Sequence, residues 1–179
     1  TPKDYRGNED LLEKDRQNRR SRFHELYSAY QERCYKAGAM DFDDILVNTF
    51  YLFKNHPKAT YKWQHRFKYV MVDEYQDTNH VQYMITRRLA AVNQNICVVG
   101  DDAQSIYAFR GANIENILNF KKDYPDYKLY KLEQNYRSTQ NILGAAYDVI
   151  KHNPHEFEKK LWSDLSIGDL IKINHFNSP

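Results

Sequence analysis

Apolar positions recur along this chain in two rhythms. Phe23, Leu26, Tyr27, Tyr30 and Cys34 fall at helical spacing inside a highly charged segment. They predict one long helix from about residue 10 to about residue 37, ended by Gly38. Phe42, Ile45, Leu46, Thr49, Phe50 and Phe53 predict a second, strongly amphipathic helix that stops near His56-Pro57. Asp41 is its expected N-cap, and Asp43 and Asp44 suit the positive end of its dipole. Capping explains these acids better than chemistry does.

The second rhythm is short and continuous. Residues 69–72 and 96–99 read as two buried strands, and residues 127–132 as a third, introduced by the Tyr124-Pro125-Asp126 turn. A last strand is expected over 170–176. Helices are expected between them. Thr78 or Asn79 caps one that carries Val81, Met84, Ile85 and Leu89. Ile114, Ile117 and Leu118 mark a short one. Ser138 or Thr139 caps another, with Ile142, Leu143, Ala146 and Ile150 facing inward. This alternation predicts an α/β fold with a mostly parallel sheet, which takes ligands at the carboxyl ends of its strands.

Both of the first two strands run into acid. The first meets Asp73 and Glu74, whose mutual repulsion offers the fold little. A hydrated divalent cation with a nucleoside triphosphate would benefit: Asp73 would hold Mg²⁺ through water, and Glu74 would polarise the attacking water. A solvated turn is the plainer account of two acids alone. Gln76 both donates and accepts hydrogen bonds, so it can sense a phosphate or relay its state. The second strand runs into Gly100-Asp101-Asp102, then Tyr107, Phe109 and Arg110. Rings alternating with arginine suit single-stranded nucleic acid, by stacking on bases and meeting phosphate; core packing is the alternative for the rings.

Composition narrows the partners. The 179 residues are 41% apolar, 28% charged and 15% aromatic, which excludes a disordered chain. A net charge of +2 excludes a polycation, so any nucleic-acid contact is a local patch. Lys14, Arg16, Arg19, Arg20 and Arg22 form one basic run, best read as a solvated helix face. Cys34 and Cys97 make no CxxC pair, which fits a reduced cytosolic protein. His152 and His155 flank Asn153-Pro154, and a loop explains them better than zinc does. No apolar run is long enough for a bilayer, so no membrane partner is expected. The opening Thr1-Pro2-Lys3 and closing Asn177-Ser178-Pro179 suggest a piece of a longer protein.

Four segments carry a resemblance. Residues 72–79 (VDEYQDTN), 99–112 and 132–139 (LEQNYRST) resemble the second, third and fourth motifs of the UvrD/Rep-type superfamily 1 DNA helicases. Residues 41–46 resemble an acidic helix start that precedes the second motif. The similarity spans about residue 20 to about residue 165. It implies an ATP- and Mg²⁺-dependent motor that moves on single-stranded DNA, 3′ to 5′, and opens single/double-strand junctions. By resemblance, Asp73 is the magnesium carboxylate and Glu74, beside it at the metal, the catalytic base. Gln104 and Arg137 meet the γ-phosphate, and Tyr136 stacks on adenine. Tyr107, Phe109 and Arg110 lie along the DNA. Many relatives have tryptophan where this chain has Phe109.

The resemblance also implies a partial RecA-like P-loop NTPase motor domain. Residues 1–40 would be the helical tail of an inserted 1B-type subdomain. Residues 41–136 would be the later part of the first motor domain (1A), and 137–179 a linker and the start of the second (2A). No G-x-x-x-x-G-K-S/T run occurs in the 179 residues. The segment alone is therefore expected to be inactive, to need the rest of its motor domains, and to self-associate through exposed sheet. Two alternatives remain at this point: the motor part of a RecB/AddA-like helicase–nuclease, and a non-catalytic nucleic-acid-binding module.

Overall fold

The computed structural model describes residues 2–153 and 159–175. The chain divides into two compact units, Thr1–Tyr61 and Lys62–Pro179. The first is helical: α1 (Pro2–Arg6), α2 (Glu9–Gln17), α3 (Phe23–Lys36) and α4 (Phe42–Asn55), followed by α5 (Pro57–Arg66), which runs on into the second unit.

The single long helix expected up to residue 37 is two helices. Arg19 turns left-handed at φ 58°. Its N–H donates to the Arg16 carbonyl at 3.0 Å, and that of Arg20 to Asp15 at 2.7 Å. This double closure usually uses glycine, because a Cβ is strained there. Every residue between Leu12 and Phe23 is polar, so nothing packs a continuous helix against a neighbour, and local closure wins. Gly38 ends α3 as expected, at φ 61°, with Ala39 N–H on the Cys34 carbonyl at 2.9 Å.

Asp41 caps α4 as expected. Its Oδ1 accepts from Asp44 N–H at 2.7 Å, and Asp44 Oδ2 accepts from Asp41 N–H at 3.3 Å. Helix α5 was not visible in the apolar pattern; Pro57 opens it, where a missing N–H costs nothing.

The second unit is built on a strand–helix–strand unit. β1 (Val70–Val72), α6 (His80–Ala90) and β2 (Ile96–Val98) follow one another, and the strands pair in parallel with Val70 opposite Ile96 and Val72 opposite Val98. Asn79 caps α6, exchanging bonds with Gln82 at 2.9 Å in both directions. Expected as buried strands, these two bury one face only. Val70, Val72, Ile96 and Val98 are half-buried, while Met71 is 76% exposed. Helix α6 packs on β1. The short helix α7 (Glu115–Leu118) packs on the turn Tyr75–Asp77 and on α8 (Phe120–Asp123), and α9 (Gln140–Ile150) follows. Buried Tyr75, Ala90 and Ile117 form the core, with Phe120 edge-on to Tyr75 at 6.1 Å.

Two expected strands are absent from the described residues. Residues 127–132 are irregular, and Leu132 is 82% exposed. Residues 170–175 are irregular too, and Phe176 lies outside the described residues. A strand persists only where a neighbouring strand takes its backbone groups, and among the described residues no strand pairs with either segment. Thr139 occupies the cap of α9, but its side chain makes no capping bond. Instead the first N–H groups, of Gln140 and Asn141, donate to the Ser166 and Ile167 carbonyls. His152 sits in the turn after α9, and His155 lies outside the described residues.

Candidate active site

The loop after β1 begins with backbone strain. Glu74 is left-handed (φ 49°, ψ 44°), an uncommon state for a residue with a Cβ. Its N–H donates to Asp73 Oδ1 at 2.9 Å. The ladder continues past the strand ends: Val99 N–H donates to the Val72 carbonyl at 2.8 Å, and Tyr75 N–H to Val99 at 2.9 Å. These bonds pin the loop on both sides of Asp73 and Glu74.

Gln76 lies beneath the acids, 1% exposed. Its Nε2 donates to Glu74 Oε2 at 2.8 Å, and its Oε1 accepts from Asp101 N–H at 3.0 Å. One buried amide thus joins the loops that follow the two strands. Gly100 makes room for it: a Cβ there would stand 2.6 Å from Gln76 Oε1.

Asp101 gathers the second loop. Its Oδ1 accepts from Ala103 N–H at 3.0 Å and its Oδ2 from Gln104 Nε2 at 2.8 Å. Lys159 Nζ donates to Asp101 Oδ1 and, at 3.3 Å, to Asp102 Oδ1. Burial pushes the Asp101 carboxyl up, but the hydrogen bonds from Lys159 and Gln104, the Lys159 charge and the Ala103 N–H outweigh it. The net result lies below the ordinary carboxylate value.

Asp73, Glu74, Asp101, Gln104 and Lys159 line one open cleft of about 880 Å³, walled on another side by residues 123–132. Gln76 is under its floor rather than in its lining. Among the described residues no ion pair engages Asp73 or Glu74. No group of three or more His, Cys, Asp and Glu forms a metal cage there either. Two carboxylates free of cations in an open cleft fit Mg²⁺ carried in by a triphosphate, since that ion takes one or two carboxylates and keeps waters and phosphates.

The aromatic loop stands apart from the cleft lining. Tyr107 and Phe109 have ring centroids 6.0 Å apart. The Arg110 guanidinium lies 5.2 Å from the first ring centre and 5.4 Å from the second. Phe109 is 78% exposed, so it is no core residue. Both ends of the loop are tied to the segment after β1. Ser105 Oγ donates to the Gln76 carbonyl at 3.4 Å, and Asn113 N–H to that of Thr78 at 3.0 Å. Buried Asn116 adds Nδ2 bonds to the Thr78 carbonyl at 2.9 Å and hydroxyl at 3.1 Å.

Tyr136 and Arg137 also lie outside the cleft lining. The Tyr136 ring is exposed, with its hydroxyl on Gln134 Oε1 at 2.6 Å. Asn135 Oδ1 accepts from the N–H groups of Arg137 and Ser138, folding a turn that leaves Tyr136 and Arg137 exposed. Sequence reasoning missed Lys159 and the gathering role of Asp101. The pair spans 58 residues, and no local pattern marks it.

A parallel strand–helix–strand unit with acids at both carboxyl ends defines an α/β protein, a class whose ligand crevices lie beyond the carboxyl ends of the strands. The chain matches the UvrD/REP helicase N-terminal domain over residues 2–125 and the UvrD-like helicase C-terminal domain over residues 130–179. It is 52% identical over 147 residues to the ATP-dependent DNA helicase PcrA of Leuconostoc citreum, covering 82% of this chain and 20% of that protein. It is 50% identical over 153 residues to the ATP-dependent DNA helicase UvrD1 of Mycobacterium bovis, covering 82% and 20%. It is 48% identical over 148 residues to the ATP-dependent DNA helicase Rep of Buchnera aphidicola, covering 83% and 23%. The chain belongs to the UvrD/Rep helicase family. It spans about one fifth of the length of these curated relatives.

Proposed function

We propose that this chain is the middle segment of an ATP-dependent DNA helicase that couples Mg-ATP hydrolysis to 3′ to 5′ movement on single-stranded DNA and opens single/double-strand junctions. The observation that carries the proposal is the cleft holding Asp73, Glu74 and Gln104 together at the ends of two parallel strands. The bound ion would neutralise charge on the phosphates, and Asp73 would hold it with Glu74 close by. Glu74 takes a proton from the attacking water, and Gln76 orients it by the bond to Oε2. Gln104 reports the γ-phosphate to Asp101. Arg137 supplies positive charge to the same phosphate, and Tyr136 offers the adenine an exposed ring.

Tyr107, Phe109 and Arg110 form the DNA grip. Their loop starts and ends on the segment that follows Glu74, so a change at the cleft reaches the grip through backbone bonds. Residues 1–40 belong to the inserted 1B-type subdomain, 41–136 to the first motor domain and 137–179 to the linker and start of the second. The 179 residues contain no P-loop, so alone they have no cradle for the β- and γ-phosphates. A longer chain supplies it, together with partners for the open sheet face.

The test uses the full-length protein. Glu74→Gln is expected to keep ATP binding and lose about 10²- to 10⁴-fold in turnover. Turnover that survives the change overturns the role of Glu74. A DNA-stimulated ATPase from the 179-residue chain overturns the need for the missing cradle.

A further inference from the structure

Lys159 lines the cleft and pairs with its acids, and the proposed chemistry leaves its position unexplained. Surface ion pairs contribute little, but this one is partly buried, with Asp101 30% exposed. The side chains of Lys159 and Asp102 are 24% and 6% exposed. Asp101 and Asp102 are adjacent carboxylates in partial burial, where like charges repel, and a single ammonium lies between them.

The bonds lead onward from Asp101. Its carboxylate holds Gln104 Nε2, and its N–H holds Gln76 Oε1, whose amide in turn holds Glu74. Lys159 is thus one contact from Asp101, two from Gln104 and Gln76, and three from Glu74. It also comes from elsewhere in the chain. Lys159 lies in the stretch that matches the C-terminal family domain, while the five residues it reaches, Asp102 included, lie in the stretch matching the N-terminal one.

We propose that Lys159 is a positioning residue through which the 130–179 segment sets the orientation of Gln104 and Glu74. This rests on the reading of Glu74 and Gln104 given above. Displacing residue 159 releases Asp101 and Asp102 into mutual repulsion. The Asp101 N–H then shifts against Gln76, and Glu74 loses its fixed orientation. Turnover falls while nucleotide affinity does not, because Lys159 acts on the groups that align the reaction rather than on the bound phosphates.

The experiment compares K159M and K159R in the full-length protein. K159M is expected to lower the DNA-stimulated kcat for ATP about 10- to 100-fold and leave KM within about twofold, with K159R restoring most of the loss. Amide exchange across residues 99–105 is expected to rise in K159M and not in K159R. Wild-type kcat and exchange in K159M overturn the proposal, as does a loss that K159R fails to relieve. Should K159M not fold, K159Q carries the test, and wild-type kcat in K159Q overturns the proposal. Glu74→Gln in the same series separates the two readings: turnover surviving there overturns the role of Glu74, whereas loss there with none in K159M overturns only that of Lys159.

Discussion

Gln76 occupies the space that a side chain on residue 100 would need. A Cβ on Gly100 would stand 2.6 Å from Gln76 Oε1 and 2.9 Å from Ile117 Cδ1. The glycine is required by proximity, since its φ is not left-handed. Gly100→Ala is therefore expected to destabilise the fold by about 1–3 kcal/mol, the usual cost of overpacking. It should also break the Asp101–Gln76 bond. A urea midpoint equal to wild type would show that the amide can move aside.

Asn116 is the buried clasp of the aromatic loop. Its Nδ2 donates to both oxygens of Thr78, and both residues are buried. Asn116→Ala leaves the Thr78 hydroxyl without that donor and is expected to cost about 1–3 kcal/mol. Thermal melts measure the cost, and faster amide exchange over residues 105–113 would locate it.

Asp101 makes stability sensitive to acid. Its carboxyl lies below the ordinary 3.8 in the folded chain, because Lys159, Gln104 and Ala103 together outweigh burial. A lowered folded value means that the stabilisation is fully present above the unfolded value. It is lost as pH falls through the folded one. The stability difference between wild type and Asp101→Asn should be constant from about pH 7 to about pH 5 and shrink below about pH 4. A difference that shrinks on the alkaline side instead would place the ionisation elsewhere.

Phe109 is exposed beside Arg110 and free to stack. Phe109→Ala in the full-length protein should weaken single-stranded DNA binding by about 1–3 kcal/mol, and Phe109→Trp should strengthen it. ATP affinity in the absence of DNA should not change. Fluorescence anisotropy with a labelled oligonucleotide reads the first effect, and nucleotide titration the second.

The elements that were legible in the sequence are those with local causes. Asn79 with Gln82, Asp41 with Asp44, and Gly38 each act within a few residues, and each ends or begins a helix where the pattern placed it. The break at Arg19 was not legible, because a left-handed arginine carries no signal of its own. The strands expected at 127–132 and 170–176 show the converse. Their apolar pattern is sound, but a strand needs a partner outside itself, and the described residues supply none.

The site divides in the same way. The order of residues alone determined that acids follow two apolar runs and that rings alternate with Arg110, since these are properties of neighbouring positions. Only the tertiary structure decided that Gln76 is buried as a bridge between the two loops and that Gly100 must yield it space. It alone drew Lys159 to Asp101 across 58 residues. Those relations depend on which surfaces meet after the chain folds back, and spacing along the chain does not encode them.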